Sequence, residues 1–194
     1  MTQRELRSFT AELRAEPGQP RKIIGYAAVF NSPSVDLGGF VEVMRPECFA
    51  KALADAGFNC ICNIDHDNGQ MLGRSKSGTL RVEEDDHGLR IECDLPDTTY
   101  ANNLVELMGR KDYSQMSFAF VPLKEQWSEK NGTPVREVLE CDLLDVSVVV
   151  DACYEATEVA LRSFEQFKAS RGTPRLNNAK RLLALHEKYF LPDR

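Results

Sequence analysis

From residue 22 to residue 150 the sequence is a succession of short β-type runs broken by turn residues, and this pattern limits the folds open to it. The runs are KIIGYAAVF (22–30), VEVM (41–44), FNCICNID (58–65), TLRVE (79–83), LRIECDL (89–95), QMSFAFVPL (115–123) and PVREVLECDLLDVSVVV (134–150). The last supplies one or two long strands. Apolar, β-branched and aromatic residues dominate them, and two junctions read as hairpins: the acidic turn EDDHG (84–88) and SEKNGT (128–133) with its Asn-Gly pair. Only two stretches inside this region carry helical spacing. Pro46 opens one, where Phe49, Leu53 and Ala56 recur before Gly57, and residues 98–112 form the other, with Leu104, Leu107 and Met108 on one face. The expectation is an α+β fold, a mostly antiparallel β domain with two or three helices.

The flanks differ in character. Residues 1–20 are polar and end in EPGQP, a polar N-terminal arm or a first short strand. The main domain is expected over 21–164. After a boundary near 165 comes a polar linker with Gly-Thr-Pro punctuation, then an amphipathic C-terminal helix in which Leu182, Leu183, Leu185 and Tyr189 cluster.

Charge and cysteine usage exclude several functions. The formal net charge of -6 gives no surplus of cations for a phosphate backbone, so no nucleic-acid partner is expected. No apolar run approaches the roughly 20 residues of a membrane helix, and no membrane partner is expected. Six cysteines lack the C-x-x-C and Cys/His spacings of zinc sites. The start MTQRELRSFTAELRAE is polar and charged, unlike a secretion signal, so reduced, buried thiols are expected. GRSKSGT (73–79) has the skeleton of a phosphate loop, but Thr79 stands where the lysine is required. There is no G-x-S-x-G. A divalent metal on Asp65-His66-Asp67 needs ligands from elsewhere in the chain, and no cofactor or metal is expected.

What remains is a set of groups suited to acyl transfer. Of the three histidines, His87 sits in the acidic turn and His186 in the C-terminal helix, whereas His66 ends an apolar strand. Ser117 lies within QMSFAFVPL. Alternation puts Met116, Phe118 and Phe120 on one face and Ser117, Ala119 and Val121 on the other, so the serine has small neighbours. Asp145 stands inside the apolar LLDVSVVV, sharing a face with Ser147 and Val149. A carboxylate there needs a partner, either an imidazole N–H or an arginine such as Arg74 or Arg136. Glu140 and Asp142 are rivals for its role. A serine nucleophile needs a base in contact and a group to orient that base. The oxyanion donors are unidentified, with the backbone N–H groups of 110–112 or those after Ser117 as guesses.

Six segments in order carry a resemblance: GYAAVFN (25–31), VEVMRPECF (41–49), the D-H-D box with LGRSKSGTL (65–80), EDDHGLRIECDLP (84–96), YSQMSFAF (113–120) and LLDVSVVVDACY (143–154). Over roughly residues 22–155 the chain resembles the prohead proteases of tailed phages. The resemblance implies a closed β-barrel ringed by helices, as in the herpesvirus assembly protease. It implies a His–Ser catalytic pair, His66 and Ser117 here, with Asp145 as third member. It implies a substrate inside the immature capsid in the host cytoplasm: the scaffolding segment of the major capsid protein or a separate scaffold, with the portal as a further candidate partner. It also implies self-cleavage and self-association. The competing reading is a catalytically inactive, protease-like assembly protein. Two segments depart from the family pattern: Pro46-Glu47-Cys48-Phe49 replaces Pro-Gly-Ala-Phe, and Asp151 replaces the proline after the apolar run.

Overall fold

The computed structural model describes residues 5–9, 14–15, 21–150 and 160–170. The chain forms two compact units, Met1–Ala156 and Thr157–Arg194. The first is an α+β unit, mostly strands with few helices. Its strands are β1 (Glu5–Phe9), β2 (Arg14–Ala15), β3 (Lys22–Val29), β4 (Val41–Met44), β5 (Ile61–Ile64), β6 (Asp67–Arg74), β7 (Leu80–Glu84), β8 (Gly88–Asp94), β9 (Gln115–Lys130) and β10 (Thr133–Val149). Its helices are α1 (Ala50–Ala54) and α2 (Thr99–Gly109). In the second unit, residues 160–170 are helical. Among the described residues no helix is long and apolar enough to cross a membrane.

The strands make two sheets. One has six strands in the order β1-β9-β10-β5-β6, with β4 also paired to β10, and the other runs β2-β3-β8-β7. The long hairpin β9–β10 organises the first. Asn131 and Gly132, both at positive φ, close it, as the primed two-residue turn demands. The far edge of β10 is shared: Val135–Val138 takes β4 and Asp145–Val148 takes β5, both in parallel. All other strand pairs in the two sheets are antiparallel.

Both faces of the β9–β10 ribbon are covered near Ser117. Met116, Phe118 and Phe120 are fully buried, with Phe118 edge-on to Phe49 at 5.6 Å between ring centroids. Val146 and Val148 extend the same apolar layer on β10. Further along, an extra residue interrupts the alternation. Leu143 pairs with Phe120 and Asp145 with Ala119, so Leu144 is a bulge and its side chain is exposed. The bulge lets both Leu143 and Val146 enter the core while Asp145 stays on the Ser117 face.

The helix expected from Pro46 is shorter than its spacing suggests. Glu47 has φ +69°, which no helical residue adopts, so residues 46–49 form a turn and α1 begins at Ala50. Helix α2 lies within its expected span and ends three residues early, at Gly109: Thr98 caps it, accepting from the Ala101 N–H, and Leu104 is buried. Cys48, Cys60, Cys62, Cys93 and Cys141 are buried and unbridged. Burial pushes the Cys60 thiol pKa up, and the Cys93 contact together with burial raises that of Cys62. Cys153 and His186 lie outside the described residues.

Candidate active site

Three adjacent strands deliver the site. In cross-strand register Ser117 of β9 faces Ser147 of β10, which faces Asn63 of β5. One pair along, Ala119 faces Asp145 and Asp145 faces Ile61. Ser117 and Asp145 are therefore diagonal neighbours on one face, within reach of a side chain that descends between them.

His66 is that side chain. Strand β5 turns into β6 with Ile64 opposite Asp67, so Asp65 and His66 are the two central residues of the tightest hairpin loop. Both have positive φ, +48° and +59°, the signature of a type I′ turn. Asn-Gly is the usual occupant of such a turn. Aspartate and histidine are among the few other residues that enter this region readily, and strained backbone of this kind clusters at functional sites. Asp65 N donates to the Val148 carbonyl at 3.0 Å, which ties the turn to β10.

The turn brings the three groups together. His66 Nδ1 lies 2.6 Å from Asp145 Oδ1, and His66 Nε2 lies 2.8 Å from Ser117 Oγ. A carboxylate accepts, so Nδ1 donates to Asp145, and the lone pair of Nε2 faces the serine hydroxyl. All three groups are substantially shielded from water: side-chain exposure is 16% for His66 and 8% for Asp145, and Ser117 as a residue is 1% exposed. Ionic hydrogen bonds are stronger in such surroundings than in water.

The carboxylates that flank His66 in sequence have other partners. Asp65 Oδ2 accepts from the Tyr113 hydroxyl at 2.6 Å, a bond that holds the tyrosine pKa up at about 12. Asp67 Oδ1 accepts from the Gly69 N–H at 2.8 Å, which lowers its carboxyl pKa. Of the rivals to Asp145, Glu140 pairs with Lys51 at 2.6 Å and Asp142 is exposed. Arg136 is engaged with Glu5, Glu42 and Glu125, and Arg74 donates from Nε to Asn59 at 2.6 Å. His87 is exposed and lies edge-on to Tyr26. The guess that residues 110–112 supply oxyanion donors fails: their N–H groups bond to the carbonyls of Glu106, Met108 and Leu107, closing the end of α2.

Sequence reasoning passed over two polar groups, Ser147 and Asn63, both fully buried. The signal was present. A serine two residues after Asp145 on the same face, and an asparagine inside an apolar strand, are each polar groups that demand partners.

Comparison with known proteins adds context to this geometry. No curated protein matches the chain. Among solved structures, the bacteriophage T4 capsid assembly protease, gp21, matches with a TM-score of 0.47 and 12% identity, covering 76% of this chain and 98% of that one. The family model described as caudovirus prohead serine protease matches residues 9–170. That match takes in both edges of the site and the strands between them, and the chain belongs to the caudovirus prohead serine protease family.

Proposed function

We propose that this chain is a serine endopeptidase of phage prohead maturation, with Ser117 as nucleophile, His66 as general base and Asp145 orienting the imidazole. The observation that carries the reading is the unbroken line of short contacts from Asp145 Oδ1 through the His66 ring to Ser117 Oγ. In the first step Ser117 Oγ bonds to the scissile carbonyl carbon while Nε2 takes the hydroxyl proton. Collapse of the tetrahedral adduct breaks the C–N bond, and the proton passes from Nε2 to the leaving amine. Water then enters, Nε2 takes its proton, and the ester is hydrolysed to free Ser117. Asp145 stays ionised throughout, stabilising the imidazolium that forms twice per turnover.

Family membership supports a substrate within the immature capsid: the scaffolding segment of the major capsid protein or a separate scaffold, with the portal a further candidate. The same reading includes a closed barrel of the herpesvirus assembly-protease kind, self-association, and cleavage of the chain's own tail beyond residue 165.

Incubation of the purified 194-residue chain with its cognate capsid precursor tests the proposal. Discrete shortened products are expected, at a rate that chelators leave unchanged. A precursor that stays intact at all times would favour the inactive assembly protein instead. The near-complete covering of Ser117 is the one observation on that side.

A further inference from the structure

Ser147 lies between the turn that carries His66 and the sheet beneath it. Its hydroxyl makes three contacts. It accepts from the His66 backbone N–H at 3.1 Å, lies 3.1 Å from His66 Nδ1, and donates to Asn63 Oδ1. The Asn63 amide is itself oriented, because its Nδ2 donates to Asn68 Oδ1 on β6 at 3.1 Å. Both Ser147 and Asn63 are fully buried, out of reach of bulk solvent.

A serine hydroxyl has one proton and two lone pairs. Here the proton is committed to Asn63, so toward the imidazole Ser147 presents only lone pairs. Nδ1 must then carry a hydrogen, which it shares between Asp145 Oδ1 and Ser147 Oγ. That leaves Nε2 unprotonated, facing Ser117. The same oxygen holds the backbone of His66, a residue at positive φ. One buried atom thus restrains both the main chain and the ring of the base.

We propose that Ser147, with its proton held by Asn63, is a positioning residue for His66: it locks the left-handed turn and selects the Nδ1–H form of the ring. The proposal rests on the reading of His66 as general base, and its test separates the two. The 194-residue chain has three histidines, so a ¹⁵N-histidine spectrum is resolvable. The His66 signals are assigned by their loss in His66→Ala. Wild type should show a slowly exchanging Nδ1 proton and a pyridine-like Nε2. In Ser147→Ala that proton should exchange at least tenfold faster, and kcat for precursor cleavage should fall on the order of tenfold to a hundredfold, with KM nearly unchanged.

Ser147→Thr keeps the hydroxyl and should recover most of kcat, whereas the isosteric Ser147→Val should not. Asn63→Ala frees the Ser147 proton to turn toward Nδ1. It should lower kcat in the same sense, and combining it with Ser147→Ala should cost no more than Ser147→Ala alone. Should Ser147→Ala not fold, the Thr/Val pair decides: equal rates in the two overturn the proposal. A folded Ser147→Ala with wild-type kcat and an unchanged Nδ1 proton overturns it as well, even where Ser117→Ala is inert. Cleavage that survives in Ser117→Ala would sink the reading of the site, while the Nδ1 proton still reports on Ser147.

Discussion

At the scale of single residues the site is a problem of proton placement. Asp145 is expected to matter through the tautomer it imposes. Asp145→Asn should leave the fold intact yet lower kcat by a factor of roughly 10⁴, as loss of the orienting carboxylate does in other serine triads. Asp142→Asn and Glu140→Gln, changed in the same assay, should stay near wild type. Glu47 offers a test unconnected with chemistry. It holds φ +69° at the position where the resembled family carries glycine. An L-residue there costs about 1–2 kcal/mol, partly offset by the freedom glycine gains when unfolded. Glu47→Gly should therefore stabilise the chain by roughly 0.5–1 kcal/mol, read as a rise in the urea midpoint without a change in slope.

Tyr113 gives a pH signature of the turn. Its hydroxyl is held by Asp65, so the folded pKa of about 12 exceeds the ordinary tyrosine value of 10.0. A raised pKa favours the protonated, folded form. The stability it contributes is fully present below pH 10 and is lost as pH climbs from about 10 to about 12. Ultraviolet titration should place Tyr113 among the late tyrosinates, beside Tyr26, whose pKa the Asp85 carboxylate also raises, and Asp65→Asn should bring Tyr113 alone back toward the ordinary value.

At the scale of elements the decisive feature is strand β10. Its two ends and two edges hold β9, β4 and β5 in register, and one bulge at Leu144 returns Asp145 to the Ser117 face. β1 is bound to this frame through charge as well as backbone. Arg136 of β10 is fully buried with Glu5 of β1 and Glu42 of β4, and Glu125 of β9 completes the group. Removing one partner from a buried ionic cluster leaves uncompensated charge behind. Arg136→Met should thus destabilise the chain by about 3–5 kcal/mol in urea unfolding. Glu5→Gln should loosen β1 first, seen as faster amide exchange along residues 116–120, the partners of β1.

This scale also shows what the sequence made legible. The hairpin β7–β8 was readable because period-two runs flank an acidic turn, and the β9–β10 turn because Asn-Gly suits positive φ at both positions. Helix α1 was overread, since spacing alone does not register the backbone of Glu47. Strand β6 was missed because DNGQMLGR lacks alternation. Asn68-Gly69, a pair that usually marks a turn, lie in that strand, and Asp65-His66 form the bend.

For the molecule as a whole, His66, Ser117 and Asp145 are each singled out by residue type and setting. The sequence spacing contains no hint of the contact itself, which depends on a parallel pairing of β5 with β10 across some 80 residues, such as Ile61 with Asp145. Local patterns do not encode non-local pairings of this kind, and here the resemblance to a family supplied the expectation. Ser147 and Asn63 fell outside that expectation because family boxes point to reacting groups and say less about what holds them.

The most direct measurement compares wild type, Ser117→Ala and His66→Ala against the cognate capsid precursor, with circular dichroism confirming that all three are folded. Discrete products are expected from wild type and none above background from either variant. Products from a folded Ser117→Ala chain at the wild-type rate would contradict Ser117 as the nucleophile.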